Sequence, residues 1–347
     1  MPFYSRLFIL IGPCVGIWGF LNGQELGAGA YAIYYLVFIT SLELLSYLLY
    51  KLSGVKLSNF LLIKQNSQRS RIFHDGLLIF TSFLYLALLI CFFYRLTYFN
   101  NSVFEETILV LSLGLAIGSL CINVAHELGH RQSGILTSIS TLLLLTCCYS
   151  HYNIEHNKGH HKNVGLHHDP ATARKGESVY LFWIRALFQG YIDAWKISTL
   201  EYSKSNTLLN PMIWRTLIQI ALIALIYLIL GNEVLILWLF SAFIGICLLC
   251  STNYIEHYGL TRAPTDRIST AISWDSNYYL ERILLFELNH HADHHIATYK
   301  TYDELVFHTE APKLPGGYGY CLLLSMIPPL WFNTMDKKIS NLKSEKL

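Results

Sequence analysis

The sequence predicts an all-α, polytopic membrane protein with about six transmembrane helices and its histidine clusters gathered on the cytoplasmic side. Three observations predict it. Of 347 residues, 53% are hydrophobic and 14% charged, whereas soluble domains carry about 25% charged residues; mean hydropathy is +0.38. The apolar residues fall into runs approaching or exceeding the ~20 residues that a helix needs to cross a bilayer. Lysine and arginine are unevenly shared between the connecting turns, and the excess marks the cytoplasmic side.

The runs lie near 5–22, 28–50, 77–98, 107–125, 212–230 and 234–254. The first is short and contains Pro13, the second contains Glu43, and the fifth has Arg215 near its start. The loop after the second run holds Lys51, Lys56, Lys64, Arg69 and Arg71, while the turns 22–27, 100–106 and 231–233 hold no basic residue. This places that loop and the N-terminus in the cytoplasm, and by parity the ends of the fourth and sixth runs as well. Arg95 is the one basic residue on the wrong side. A seventh apolar run, 136–150, is expected to form a re-entrant or buried hairpin, because a crossing there would put His130 and His156 on opposite faces. Arg6, the first run and Ala28-Gly29-Ala30 also resemble a signal peptide, but with a single positive charge before the apolar stretch.

The chain reads as one domain, 1–347, whose segments 126–208 and 255–347 lie at the membrane surface and carry the candidate site. The stretch 172–208 is polar and aromatic, with Tyr180, Trp183 and Arg185. Trp331 is expected at the interface, with Lys337 and Lys338 in water. Net charge is +2 without a basic run, so nothing points to nucleic acid. All eight cysteines sit in apolar segments. Cys247 and Cys250 form a C-x-x-C pair, but apolar surroundings keep thiols protonated and inert, and no second pair completes a four-thiolate site.

Thirteen of the 15 histidines fall between His126 and His295. His126-Glu127-Leu128-Gly129-His130 ends an uncharged run, and histidines four apart share a helix face and can grip one metal ion. Next come His156-Asn157-Lys158-Gly159-His160-His161, then Glu256-His257-Tyr258, then His290-His291-Ala292-Asp293-His294-His295. The candidate ligands are His126, His130, His156, His160, His161, His257, His291, His294 and His295. Nine neutral nitrogen donors suit two borderline ions such as iron. Each cluster also carries an acid (Glu127, Glu155, Glu256, Asp293), expected to accept the outer N–H of a ligating histidine, with a direct bridging carboxylate as the alternative. His74, His151, His167, His168, His290 and His308 read as surface or hydrogen-bonded core residues. A zinc protease built on H-E-x-x-H leaves most of these imidazoles unexplained. A metal transporter normally places its ligands near mid-bilayer, whereas these gather at run ends.

The boxes resemble the integral-membrane alkane hydroxylases, non-haem di-iron monooxygenases related to the membrane fatty-acid desaturases. His126–Arg131 matches H-E-L-G-H-K/R. Glu155–Val164 matches E-H-N-x-G-H-H-x-x-V and is followed by Asp169-Pro170-Ala171, and Asn253–Leu260 matches N-Y-x-E-H-Y-G-L. The last box, Leu288 to His295, and the tail from Pro315-Gly316-Gly317-Tyr318 to Met335-Asp336 fit as well. His290 stands where the family has arginine, which has no acceptor to offer a metal, and Leu166-His167-His168 replaces a Thr-Pro-acid run. The resemblance implies two non-haem iron ions and insertion of one O2 oxygen into the terminal C–H of an alkane or alkyl chain, giving a primary alcohol. It also implies electrons from a rubredoxin reduced by an NADH-dependent reductase, and a site in the bacterial inner membrane facing the cytoplasm. Desaturation, or hydroxylation of an alkyl-aromatic, is the enzymatic alternative.

Overall fold

The computed structural model describes residues 7–38, 71–203 and 207–344. Every regular element among them is helical, and the one β-bridge seen there pairs Asp275 with Lys313. The described residues are all-α, as expected. The longer helices are α1 (Ile11–Asn22), α2 (Arg71–Tyr98), α3 (Val103–Gly129), α4 (Gly134–Leu145), α5 (Val179–Tyr202), α6 (Pro211–His257), α7 (His291–Ile296), α8 (Tyr318–Ser325) and α9 (Pro328–Ser344). They belong to two compact units. One comprises Met1–Ser150, Arg215–Leu248 and Ile283–Phe286; the other comprises His151–Trp214, Leu249–Arg282 and Glu287–Leu347.

α2, α3 and α6 are long and apolar enough to cross a membrane. α3 starts at a capping box, in which the Ser102 side chain accepts from the Glu105 N–H while the Glu105 carboxylate accepts from the Ser102 N–H. α6 is a broken helix. Gly231 sits at φ 86°, which only glycine adopts without strain, and separates 211–230 from 232–257, close to the expected runs 212–230 and 234–254. The run near 28–50 and the loop residues Lys51, Lys56, Lys64 and Arg69 lie largely outside the described residues. α4 has 12 residues, about 18 Å of helix, against a hydrocarbon layer of about 30 Å. It is shorter than that layer, and it packs on the end of α3, where the Ser140 hydroxyl donates to the Ala125 carbonyl.

Small residues let α3 and α6 approach closely. A Cβ added at Gly114 would lie 2.7 Å from Ile244 Cβ, and one at Gly118 would lie 2.6 Å from Leu248 Cδ2. Arg95, which breaks the charge pattern, is buried and fully occupied. It pairs with Glu105 at 3.2 Å and donates to the Gly23 carbonyl and to Asn101. A neutralised arginine tied into its own turn does not act as a free topological charge.

In the second unit, α5 turns Phe182, Ala186, Gly190, Ala194 and Ser198 inward at steps of four, so small side chains line its packed face. Its other face exposes Leu181, Phe188 and Leu200 at 62%, 70% and 75%, an apolar surface of the kind an interfacial helix presents. Trp331 departs from expectation. It is 0% exposed, packed between Tyr254 and Tyr258 at ring-centroid distances of 5.5 Å. Three large rings, one pair edge to face and two tilted, gain more from mutual burial than the indole gains at an interface.

Candidate metal centre

The first histidine box lies in the first unit. α3 carries a π turn at Ile117–Ile122 and then returns to α-helix over Asn123–Gly129. His126 and His130 therefore sit one α-turn apart, with their Nε2 atoms 3.3 Å from each other. Burial, with Arg131 alongside, pushes the His130 pKa down to about 4. At neutral pH the ring is uncharged, as a metal donor must be. Glu127 accepts from Arg131 at 3.4 Å, and Arg131 reaches Asp75 at 2.9 Å.

The other seven candidate ligands lie in the second unit. The second box has a different backbone: Tyr152–Glu155 is α, His156–His160 is π, and His161–Asn163 is α again. The wider turn brings His156 beside His161 rather than His160, with the Nε2 atoms 2.9 Å apart. His156, His161 and His294 have donor atoms within 4.8 Å of one another. His160 faces elsewhere and joins His257, His291 and His295, four buried donors also mutually within 4.8 Å. The last box is divided in the same way, with His291 and His295 in the quartet and His294 in the triplet.

Two of the quartet's outer nitrogens, those of His160 and His257, are held in hydrogen bonds, and a third, that of His291, lies near a carboxylate. His160 Nδ1 lies 2.8 Å from Asp169 Oδ2, and Asp169 also accepts from the Thr172 hydroxyl at 2.5 Å. His257 Nδ1 donates to the Ile272 carbonyl at 3.0 Å. His291 Nδ1 is 3.3 Å from Glu256 Oε1, which accepts from the Tyr318 hydroxyl at 2.8 Å. With protons on the outer nitrogens, the inner Nε2 atoms present lone pairs to one another. His257 and His295 approach His291 at 3.2 and 3.0 Å, and His160 Nε2 is buried without a hydrogen-bond partner. Facing lone pairs repel unless a cation lies among them. Metal–imidazole bonds of about 2.1 Å put cis donors ~3.0 Å apart in an octahedron. The residues fit a metal ion.

The other expected site residues are placed as follows. Burial, and Asp169 nearby, push the Glu155 carboxyl well above its ordinary range. Asp293 contacts Lys300 and His308, at 2.8 Å each. Burial works against the charged form of Asp293, and these partners outweigh it, so the carboxylate lies below its ordinary range. His290 Nε2 lies 3.2 Å from Asn277 Oδ1, and His290 belongs to neither donor group. Sequence reasoning did not single out Asp169, Thr172 or Tyr318. The only hint was position, since Asp169-Pro170 follows the second box and Tyr318 ends Pro315-Gly316-Gly317.

Long apolar helices together with buried, outward-anchored imidazoles define an integral membrane protein with a histidine-built metal centre. The family model for fatty acid desaturases matches residues 107–321, and the chain belongs to that family. It is 34% identical to alkane 1-monooxygenase 1 of Pseudomonas aeruginosa over 239 residues, which is 66% of this chain and 63% of the relative. It is 36% identical to alkane 1-monooxygenase of Acinetobacter baylyi over 253 residues, 69% of this chain and 61% of the relative. The hydroxylase component XylM of a Pseudomonas putida xylene/toluene monooxygenase is 29% identical over 232 residues, 66% of this chain and 63% of the relative. The chain thus spans somewhat less than two thirds of the length of each relative. The resemblance read from the histidine boxes is borne out by these matches.

Proposed function

We propose that this protein is a membrane monooxygenase that inserts one oxygen of O2 into the terminal C–H of an alkane or alkyl chain, giving a primary alcohol. The observation that carries the proposal is the quartet of buried imidazoles, with converging donors and the outer nitrogens of His160 and His257 anchored, in a chain similar to alkane 1-monooxygenases. His160, His257, His291 and His295 are the proposed ligands of one iron. The nine candidate histidines taken together are proposed to hold two irons. Bound iron would supply the redox chemistry that activates O2. The protein's own part is to hold the donors neutral and oriented. Asp169 and the Ile272 carbonyl fix the tautomers of His160 and His257, so that each Nε2 stays a lone-pair donor. Burial strips water from the site, which suits an apolar substrate arriving from lipid.

The proposal includes electrons from a rubredoxin-type donor with its NADH-dependent reductase. It also includes six spans with both termini cytoplasmic, and a location in the bacterial inner membrane. A second reading, hydroxylation of a methyl group on an aromatic ring, is favoured by the XylM relative. The test is anaerobic reduction of purified protein, then 18O2 with a set of n-alkanes and xylene, with metal analysis alongside. Labelled primary alcohol with two irons per chain is expected. A new double bond without label, or activity with zinc alone, overturns it.

A further inference from the structure

We infer that Tyr318 is a positioning residue of the metal centre, holding His291 through Glu256. The inference rests on the reading of the His160, His257, His291 and His295 quartet as a metal site. Tyr318 is 1% exposed and Glu256 0%. A ring buried for packing alone needs no hydroxyl, and phenylalanine would fill the same space. Here the hydroxyl donates to Glu256 Oε1 at 2.8 Å, and the same oxygen lies 3.3 Å from His291 Nδ1. Glu256 Oε2 is buried without a partner. Without Tyr318, that carboxylate would be free to turn about its last bond, and His291 would lose its fixed neighbour.

The backbone of Tyr318 is placed with equal care. Its N–H donates to Glu281, which also accepts from the Ser276 hydroxyl. Ser276 is in turn bonded to Asn289, two residues before His291. Next to it, Asp275 accepts from the Ala292 N–H at 2.8 Å through its side chain, while its main chain pairs with Pro312 and Leu314. The segment that delivers Tyr318 is therefore stitched to the start of α7, which carries His291. A parallel construction stands at His160, where the Thr172 hydroxyl holds Asp169 and Asp169 holds the ring. Beside each of these two rings stands a carboxylate that is itself held by a hydroxyl, in hydrogen bond with His160 and 3.3 Å from His291.

The test compares wild type, Tyr318→Phe, Glu256→Gln and the double variant, as the full chain in lipid nanodiscs loaded with 57Fe. Tyr320→Phe, which alters a ring 51% exposed, serves as control. Losing a group that orients a metal ligand costs about 10–100-fold in metal affinity. Tyr318→Phe should speed chelator-driven loss of one iron by about that factor and alter one Mössbauer doublet. The double variant should add little to Glu256→Gln, and metal-free melting should stay unchanged. Wild-type release and spectra in Tyr318→Phe overturn the inference. So does equal loss of both irons with lowered metal-free melting, which marks a packing role. If wild type binds no metal, both this inference and the proposed function fall. If it binds iron but makes no alcohol, the function falls and the release assay still judges Tyr318.

Discussion

The first and second histidine boxes read alike, each with two histidines separated by three residues, yet the backbone makes them different devices. In the first box a regular α-turn sets His126 beside His130. In the second a π turn sets His156 beside His161 and turns His160 to another group of donors. One α-turn can aim its ligands at one place. An added residue in the turn lets a single short segment aim at two. The lesson is that ligand spacing in a sequence gives the number of donors, while helix type decides which donors act together.

The sharpest way to break this comparison is to remove the two neighbouring rings separately. His160→Ala and His257→Ala should lose the same iron and give the same residual Mössbauer spectrum, while His161→Ala loses the other; turnover should fall below detection in all three. If His160→Ala instead matches His156→Ala, the π turn does not sort the ligands. In the last box, His290→Arg should keep both irons, whereas His291→Arg should lose the quartet iron.

A smaller effect separates the boxes by their acids. Asp169 contacts a quartet ring, and Glu127 pairs with Arg131. Asp169→Asn should weaken iron retention by about 10–100-fold. Glu127→Gln should lower melting temperature more than it speeds metal loss. Chelator competition followed by thermal melting of both variants checks the contrast.

The π turn itself rests on packing. A Cβ on Gly159 would come within 3.1 Å of Ile197 Cδ1 and 3.3 Å of Glu155 Oε1. Gly159→Val should cost roughly 1–3 kcal/mol by overpacking, read as a shift in denaturation midpoint. The smallest effect belongs to the surface pair between Lys158 in the π turn and Glu201 on α5, both half-exposed. Lys158→Ala should change stability by about 0–1 kcal/mol and leave iron content at wild type. A larger loss would show that charge, not packing, holds the turn.

Much of this protein was legible in its sequence. Composition and uncharged runs gave an all-helical membrane chain, because a helix crossing lipid must satisfy its own backbone and bury few charges. Gly231 marked the break in α6, because its backbone conformation is closed to other residues. The nine candidate histidines stood out because imidazoles are costly to gather without a purpose. Other features were decided only when distant segments met. Asp169, Thr172 and Tyr318 carry no periodic or compositional mark, since a hydrogen bond to a ligand depends on where two loops pass, not on neighbours in the chain. Trp331 reads as an interfacial residue until Tyr254 and Tyr258 close over it. The division of the second and last boxes between two groups also lay beyond the sequence. An α-turn and a π-turn differ by one residue per hydrogen-bonded ring, a choice set by tertiary packing such as that at Gly159 rather than by local propensity.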